Sequence, residues 1–156
     1  MRVLLGLGTN RGDRVDHLRR AVAAIPDLVA VSPIYETGGA GRPGPSAYLD
    51  LVAELDTSLT PRRLLRVCRE LERQAARGRG GASVVEVDIL WIDGVVVQED
   101  DLTVPNPRMP ERSFVMRPLR DLAPDIEVAG WDPDTAIGDA ELLGRLDDLE
   151  LAAVAD

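Results

Sequence analysis

The sequence predicts an α+β domain: a β-α-β-β-α-β core with an added β-hairpin and C-terminal helices. Three observations predict it. Apolar residues recur at helical spacing over two segments, one opened by Asp13 as its N-cap and the other by Thr60-Pro61. Around those segments lie short β-branched or alternating runs of strand length, the cleanest over Tyr48–Leu55. The segments follow one another as strand, helix, strand, strand, helix, strand, which is the ferredoxin-like split βαβ arrangement. That frame supports many functions, so the function must be argued from side chains.

The chain has 156 residues, and one domain spanning 1–156 with a real core is expected. Aromatic residues are scarce, two Trp, two Tyr and one Phe, so the place of each is informative. A net charge of −9 argues against non-specific binding to nucleic acid or to an anionic membrane. It leaves room for a nucleotide site built from local arginines. The single cysteine, Cys68, rules out an internal disulfide and fits a reducing compartment. No apolar run reaches the roughly 18 residues of a membrane span, and no signal peptide opens the chain, so a cytoplasmic location is expected.

In order, Arg2–Gly8 reads as a buried first strand, and Asp13 as the N-cap of a helix carrying Val15, Leu18, Val22 and Ile25 inward. His17 falls among arginines and aspartates and is expected on the solvated side. Leu28–Tyr35 is a second strand, kinked at Pro33. Thr37–Pro45 is so rich in Gly and Pro that no regular element fits; a mobile substrate loop and a plain connector both remain open. In the next strand Leu49, Leu51, Ala53 and Leu55 share a core face, opposite Tyr48, Asp50, Val52 and Glu54.

Pro61 opens the second helix, whose stripe is Leu64, Cys68, Leu71 and Ala75, with Gly78 as its C-cap. Cys68 therefore reads as packing and not as a nucleophile. Asp93-Gly94 suggests a tight hairpin from the following strand into Val95–Val97. After Leu102–Pro105, a short helix buries Val115, Leu119 and Leu122 and ends at Pro124. The acidic tail from Trp131 is expected to hold one or two modest helices with loose last residues.

Val84–Ile92 carries the chemistry. It reads as a strand buried on both faces, interrupted by Glu86 and Asp88. Their i, i+2 spacing puts both carboxylates on one face, roughly 6–7 Å apart. Two buried anions need a neutraliser, and Mg²⁺ takes one or two carboxylates and completes its shell with water and substrate phosphates. A solvated sheet edge is the other reading, and both stand at this point. Arg77 and Arg79, at the end of the second helix, either complement its dipole or project toward the acidic strand as forks for polyphosphate.

These segments together resemble the 6-hydroxymethyl-7,8-dihydropterin pyrophosphokinase family. The resemblance rests on GLGTNRGD, SPIYET, YLDLVAELDT, LERQAARGR, VEVDILWIDG, LTVPNPRMPERSFVMRPL and LAPDI, in that order. It spans about 3–126, leaving 127–156 as a tail. It implies an enzyme that moves pyrophosphate from ATP to the hydroxymethyl group of a dihydropterin or related heterocycle, with AMP leaving. It implies two Mg²⁺ ions between ATP and the pair Glu86 and Asp88, with Arg77 and Arg79 assisting catalysis. ATP would meet Glu72, Arg77, Arg79, Thr103, Asn106 and Arg112. The pterin would meet Thr37 and Ala40, stack on Tyr48 and Phe114, and be read at its edge by Asp50. The partners implied are these two small molecules alone, with no nucleic acid or membrane, acting on a monomer.

This chain departs from the family's pattern at several points. Glu86 stands where the family has aspartate, and Asn106 where it has histidine. Asp50 replaces an asparagine, so its ionised carboxylate only accepts and suits a ring edge with two N–H donors or a cationic ring. Gly80–Val84 replaces a longer loop bearing tryptophan and arginine. Those departures keep a second reading, a pterin- or nucleotide-binding paralogue without transfer activity. A third is an interaction module whose acidic strand is only a solvated edge.

Overall fold

Strand β1 (Arg2–Thr9) runs through a six-stranded sheet, and its alternation divides the protein into two layers. The computed structural model describes residues 1–37, 47–77, 84–130 and 140–147. Val3, Leu5 and Leu7 point to one face, where helices α1 (Arg14–Ala23) and α2 (Pro61–Ala76) cover them. Leu4 points to the other, under helix α3 (Ser113–Leu122). Two buried faces explain why the first strand is apolar at nearly every position.

The remaining strands are β2 (Leu28–Val31), β3 (Ile34–Thr37), β4 (Tyr48–Asp56), β5 (Glu86–Ile92), β6 (Val97–Glu99), β7 (Leu102–Val104) and β8 (Glu141–Gly144). The sheet order is β5-β1-β4-β3-β8, with β2 also on β4, and every pairing is antiparallel. Strands β6 and β7 form a separate hairpin. The result is a mixed α/β fold with an antiparallel sheet and three α-helices among the described residues.

Both helix starts are capped as their residues predict. Asp13 accepts from the Asp16 N–H at 3.1 Å, and Thr60 from the Arg63 N–H at 3.3 Å, with Pro61 as the first helical residue. The expected kink at Pro33 is a full break between β2 and β3, because proline has no N–H for the ladder. Ser32 bridges the gap: its N–H donates to the Val52 carbonyl at 2.8 Å, and its hydroxyl accepts the Val52 N–H at 2.9 Å.

Several expectations are corrected. His17 is buried, 4 % exposed, and not on a solvated face. A helix covered by both a sheet and a neighbouring helix buries a wide stripe, and here His17, Leu18, Ala21 and Val22 are all inside. Strand β5 is buried on both faces only toward Leu90; it is the sheet's edge strand, and Glu86 and Asp88 are exposed. The Asp93-Gly94 turn forms, with Gly94 at φ +68, but it closes no hairpin on β5. The hairpin is instead β6 with β7, and the outer side of β5 is partly taken by the Asn106 N–H, which donates to the Leu90 carbonyl at 2.8 Å. In the tail, expected to hold only one or two modest helices, Glu141–Gly144 is a strand on the free edge of β3. Gly78 and the last residues, 148–156, lie outside the described residues.

Cys68 is 1 % exposed in the α2 stripe, and burial, reinforced by the nearby charges of Asp88 and Glu72, pushes its thiol up to about 12. The native protein is therefore expected to react with a disulfide reagent at pH 8 at least about 100-fold more slowly than the urea-unfolded chain, since the thiolate is the nucleophile. Timed thiol titration reads this, and equal rates in the two states would contradict it.

Candidate active site

On the α3 side of the sheet, β1 presents Leu4, Gly6 and Gly8 in turn. The register sets Gly6 between Val52 of β4 and Asp88 of β5, and Gly8 between Asp50 and Glu86. Residues opposite one another in a ladder share a face, so three carboxylates surround a floor that has no side chain. Asp50 and Glu86 stand two strand spacings apart, roughly 10 Å at the backbone, and Glu86 and Asp88 roughly 6–7 Å. A methyl added to Gly6 would meet Leu90 at 3.3 Å, so the floor is already in close contact at its far end.

Above this floor lies an open cleft of about 440 Å³. Helix α3 and the 3₁₀ turn before it, Met109–Glu111, supply Met109, Arg112, Phe114 and Val115 to its wall. The Arg112 guanidinium sits 5.4 Å from the centre of the Phe114 ring, a cation–π distance. Asn106 stands at the mouth, fixed by its own backbone bond to Leu90 and by its Oδ1, which accepts the Arg108 N–H at 3.0 Å. Of the sequence-predicted site residues, Asp50, Glu86, Asp88, Asn106, Arg112 and Phe114 thus meet in one cleft.

The others are placed differently. Glu72 lies on α2 behind the β5 edge, where its Oε2 accepts the Val87 N–H at 3.4 Å. Burial raises its carboxyl above the usual range; the charges of Asp88 and Glu86 add to this, while the Val87 N–H and Arg69 oppose it. Thr103 is exposed on β7. Thr37 and Tyr48 face each other in the β3–β4 register, 1 % and 7 % exposed, beyond the cleft lining. Phe114 lines the cleft, whereas Tyr48 lies in β4 two residues before Asp50. Arg77 ends α2 on the other side of the sheet, in a hollow against α1, and does not project toward the acidic strand. Ala40 and Arg79 lie outside the described residues.

Three supports escaped the reading of the sequence. The buried Thr9 hydroxyl donates to the Val84 carbonyl at 2.7 Å and so fixes where β5, with its two acids, begins. Arg14 donates to Glu36 at 2.7 Å and to the Ala47 carbonyl at 2.9 Å, tying α1 to the entry of β4. Tyr35 donates a short hydrogen bond to Asp121 and lies under Arg117, which clamps α3 to β3. Of the cleft's own parts, the glycine floor had a signal: Gly6 and Gly8 at i, i+2 inside a strand run.

The comparisons with known proteins agree with one another. A family model described as 7,8-dihydro-6-hydroxymethylpterin-pyrophosphokinase (HPPK) matches residues 4–124. The chain belongs to this family. A Bacillus subtilis protein named 2-amino-4-hydroxy-6-hydroxymethyldihydropteridine pyrophosphokinase is 34% identical over 139 residues, 84% of this chain and 83% of that one. A Methylorubrum extorquens protein of the same name is 37% identical over 137 residues, 83% of this chain and 87% of that one. In structure, the chain is similar to an HPPK-DHPS crystallised in complex with substrates, with a TM-score of 0.59 and 10% identity. That match covers 99% of this chain and 43% of the larger one, and it speaks for the fold alone. The HPPK match takes in every described cleft residue, from Gly6 to Val115. No helix among the described residues is long and apolar enough to cross a membrane.

The position of Glu72 yields a prediction about pH. A carboxyl whose folded value is raised favours the protonated native state, so its contribution is lost as pH rises from the ordinary 4.5 through the raised value. Glu72→Gln keeps an acceptor for the Val87 N–H and removes the charge. At pH 7.5 the ligand-free variant is expected to unfold at a higher urea concentration than the parent, with the gap closing below pH 4.5. A variant less stable at pH 7.5 would contradict this.

Proposed function

We propose that the chain is an ATP- and Mg²⁺-dependent pyrophosphokinase that transfers pyrophosphate from ATP to the hydroxymethyl group of a dihydropterin, releasing AMP. The observation that carries the reading is the meeting of Asp50, Glu86, Asp88, Asn106, Arg112 and Phe114 in one open cleft of a chain belonging to this family. In the reaction the pterin hydroxyl oxygen forms a bond to the β-phosphorus, the bond from that phosphorus to the bridging oxygen of AMP breaks, and the hydroxyl proton leaves.

The donor set suits hard cations. Glu86 and Asp88 are exposed carboxylates on one face, few enough to leave Mg²⁺ its water and phosphate ligands. Two Mg²⁺ ions bound here would neutralise the phosphates and the charge that develops between them. Arg112 supplies a guanidinium for a phosphate oxygen, and Asn106 a side-chain amide at the same mouth. Phe114 offers the ring's stacking surface, and Asp50 accepts N–H groups from the heterocycle's edge. Thr37 adds a buried hydroxyl whose oxygen has no hydrogen-bond partner among the described residues, which suits a nearby ligand heteroatom.

The finer architecture is part of the same reading. With β2 and β3 counted as one broken strand, the order β5-β1-β4-β3 supports a ferredoxin-like core within one domain. Action as a monomer belongs to the same reading, and a lone free cysteine supports a cytoplasmic setting.

Incubation with ATP, Mg²⁺ and hydroxymethyl-dihydropterin is expected to produce AMP and the pterin diphosphate in equal amounts. AMP absent at any pterin concentration, with the protein folded, would overturn the reading. Glu86→Gln and Asp88→Asn should each lower kcat by about 100-fold or more while leaving the urea midpoint unchanged or higher, since two facing anions are relieved. Phe114→Ala should raise the pterin KM roughly 10-fold, a loss of about 1.4 kcal/mol of stacking and apolar contact. Steady-state kinetics with both substrates varied separates these effects.

A further inference from the structure

Behind the sheet from the cleft, the C-terminal halves of α1 and α2 leave an open hollow of about 510 Å³. The small side chains of Ala21, Ala24 and Ala75 make the room, and the polar lining is His17, Arg20, Gln74 and Arg77. We propose that this hollow binds a small tetrahedral oxyanion, inorganic phosphate or a phosphate monoester, through the side chains of Arg20, Gln74 and Arg77, beside the ring of His17.

The charge balance is the first reason. The chain has 27 Asp and Glu against 18 Lys and Arg, yet among the described residues no carboxylate lines this hollow and two guanidiniums do. Guanidinium forks match a tetrahedral oxyanion, and a carboxamide adds N–H donors. Geometry is the second. His17 is buried in the wall, so its ring is already held where a ligand would meet it. Arg20 is accessible by contrast: its side chain is 78% exposed and pairs with Asp16 at 2.9 Å. Exchanging such a surface pair for a ligand costs about 1 kcal/mol or less.

The opposing terms are small. Asp16 also pairs with Arg19, and Glu70 of α2 pairs with Arg73, so both neighbouring acids already have cations. Helix C-termini disfavour anions. Here the last-turn carbonyls of Ala21, Val22 and Gln74 already accept the N–H groups of Ala24, Ile25 and Arg77.

His17 is the only histidine in the chain, so its imidazole C–H resonances report on this hollow without ambiguity. The full-length protein would be titrated at fixed pH and ionic strength with inorganic phosphate, with glycerol 2-phosphate and with chloride. A saturable shift of the His17 resonances with phosphate or the monoester, and none with chloride, is the expected result. Whichever of the two saturates at lower concentration names the source. Arg20→Ala should weaken the binding about tenfold, the loss of one charge-assisted contact, and Gln74→Ala should weaken it too. Arg66→Ala, exposed on α2 outside the hollow, should leave it unchanged. A shift that never saturates, one that chloride reproduces, or an Arg20→Ala variant with parental affinity would overturn the proposal.

Discussion

A strand in the middle of a sheet can leave an opening in a packed face only by withholding side chains, and β1 does so at Gly6 and Gly8. Everything at the candidate active site depends on that gap. On the other face the same strand presents Val3, Leu5 and Leu7 and anchors the main core. On this face Leu4 closes the floor at one end, under α3, and the two glycines leave the other end open. The flanking strands must then carry whatever the cleft is to use, and the register delivers Asp50 on one side and Glu86 with Asp88 on the other. Side chains larger than hydrogen at positions 6 and 8 would fill the space between the acids.

That arrangement also explains how Glu86 and Asp88 are tolerated; the third acid, Asp50, is buried, 4 % exposed. Acids inside a packed face would require neutralisation within the protein. At the edge strand, around an open floor, Glu86 and Asp88 are exposed to solvent. In the next layer Glu72 and Cys68 are both pushed above their usual ranges, first by burial and then by the nearby charge of Asp88.

Much of the fold was legible because it is written in local chemistry. Asp13 and Thr60 cap, Pro61 opens a helix, Pro33 breaks a strand, and each acts within a turn of its own position. What was not legible depends on neighbours distant in sequence. His17 sits among charged residues, and only the packing of α1 against α2 makes it an inside residue. Glu86-Val87-Asp88-Ile89-Leu90 has the apolar content of a central strand, but whether a further strand covers its outer side is decided by the chain after Asp93. That chain folds back on itself as β6 and β7. The tail strand β8 is recruited by the unpaired edge of β3, which no feature of Glu141–Gly144 announces. The cleft shows the same division. Acids spaced i, i+2 and a scarce phenylalanine point to it directly, whereas Thr9, Arg14 and Tyr35 hold it together through bonds to partners 75, 33 and 86 positions away.

The central claim is that the acids around the glycine floor exist to meet metal-bound polyphosphate. A crystal structure of the protein with a non-hydrolysable ATP analogue and Mg²⁺ tests it most directly. The account predicts metal density about 2.0–2.1 Å from carboxylate oxygens of both Glu86 and Asp88, with phosphate oxygens completing the shell. Nucleotide bound with those two side chains turned to bulk water, or held by the protein's own arginines with no metal between, would contradict it.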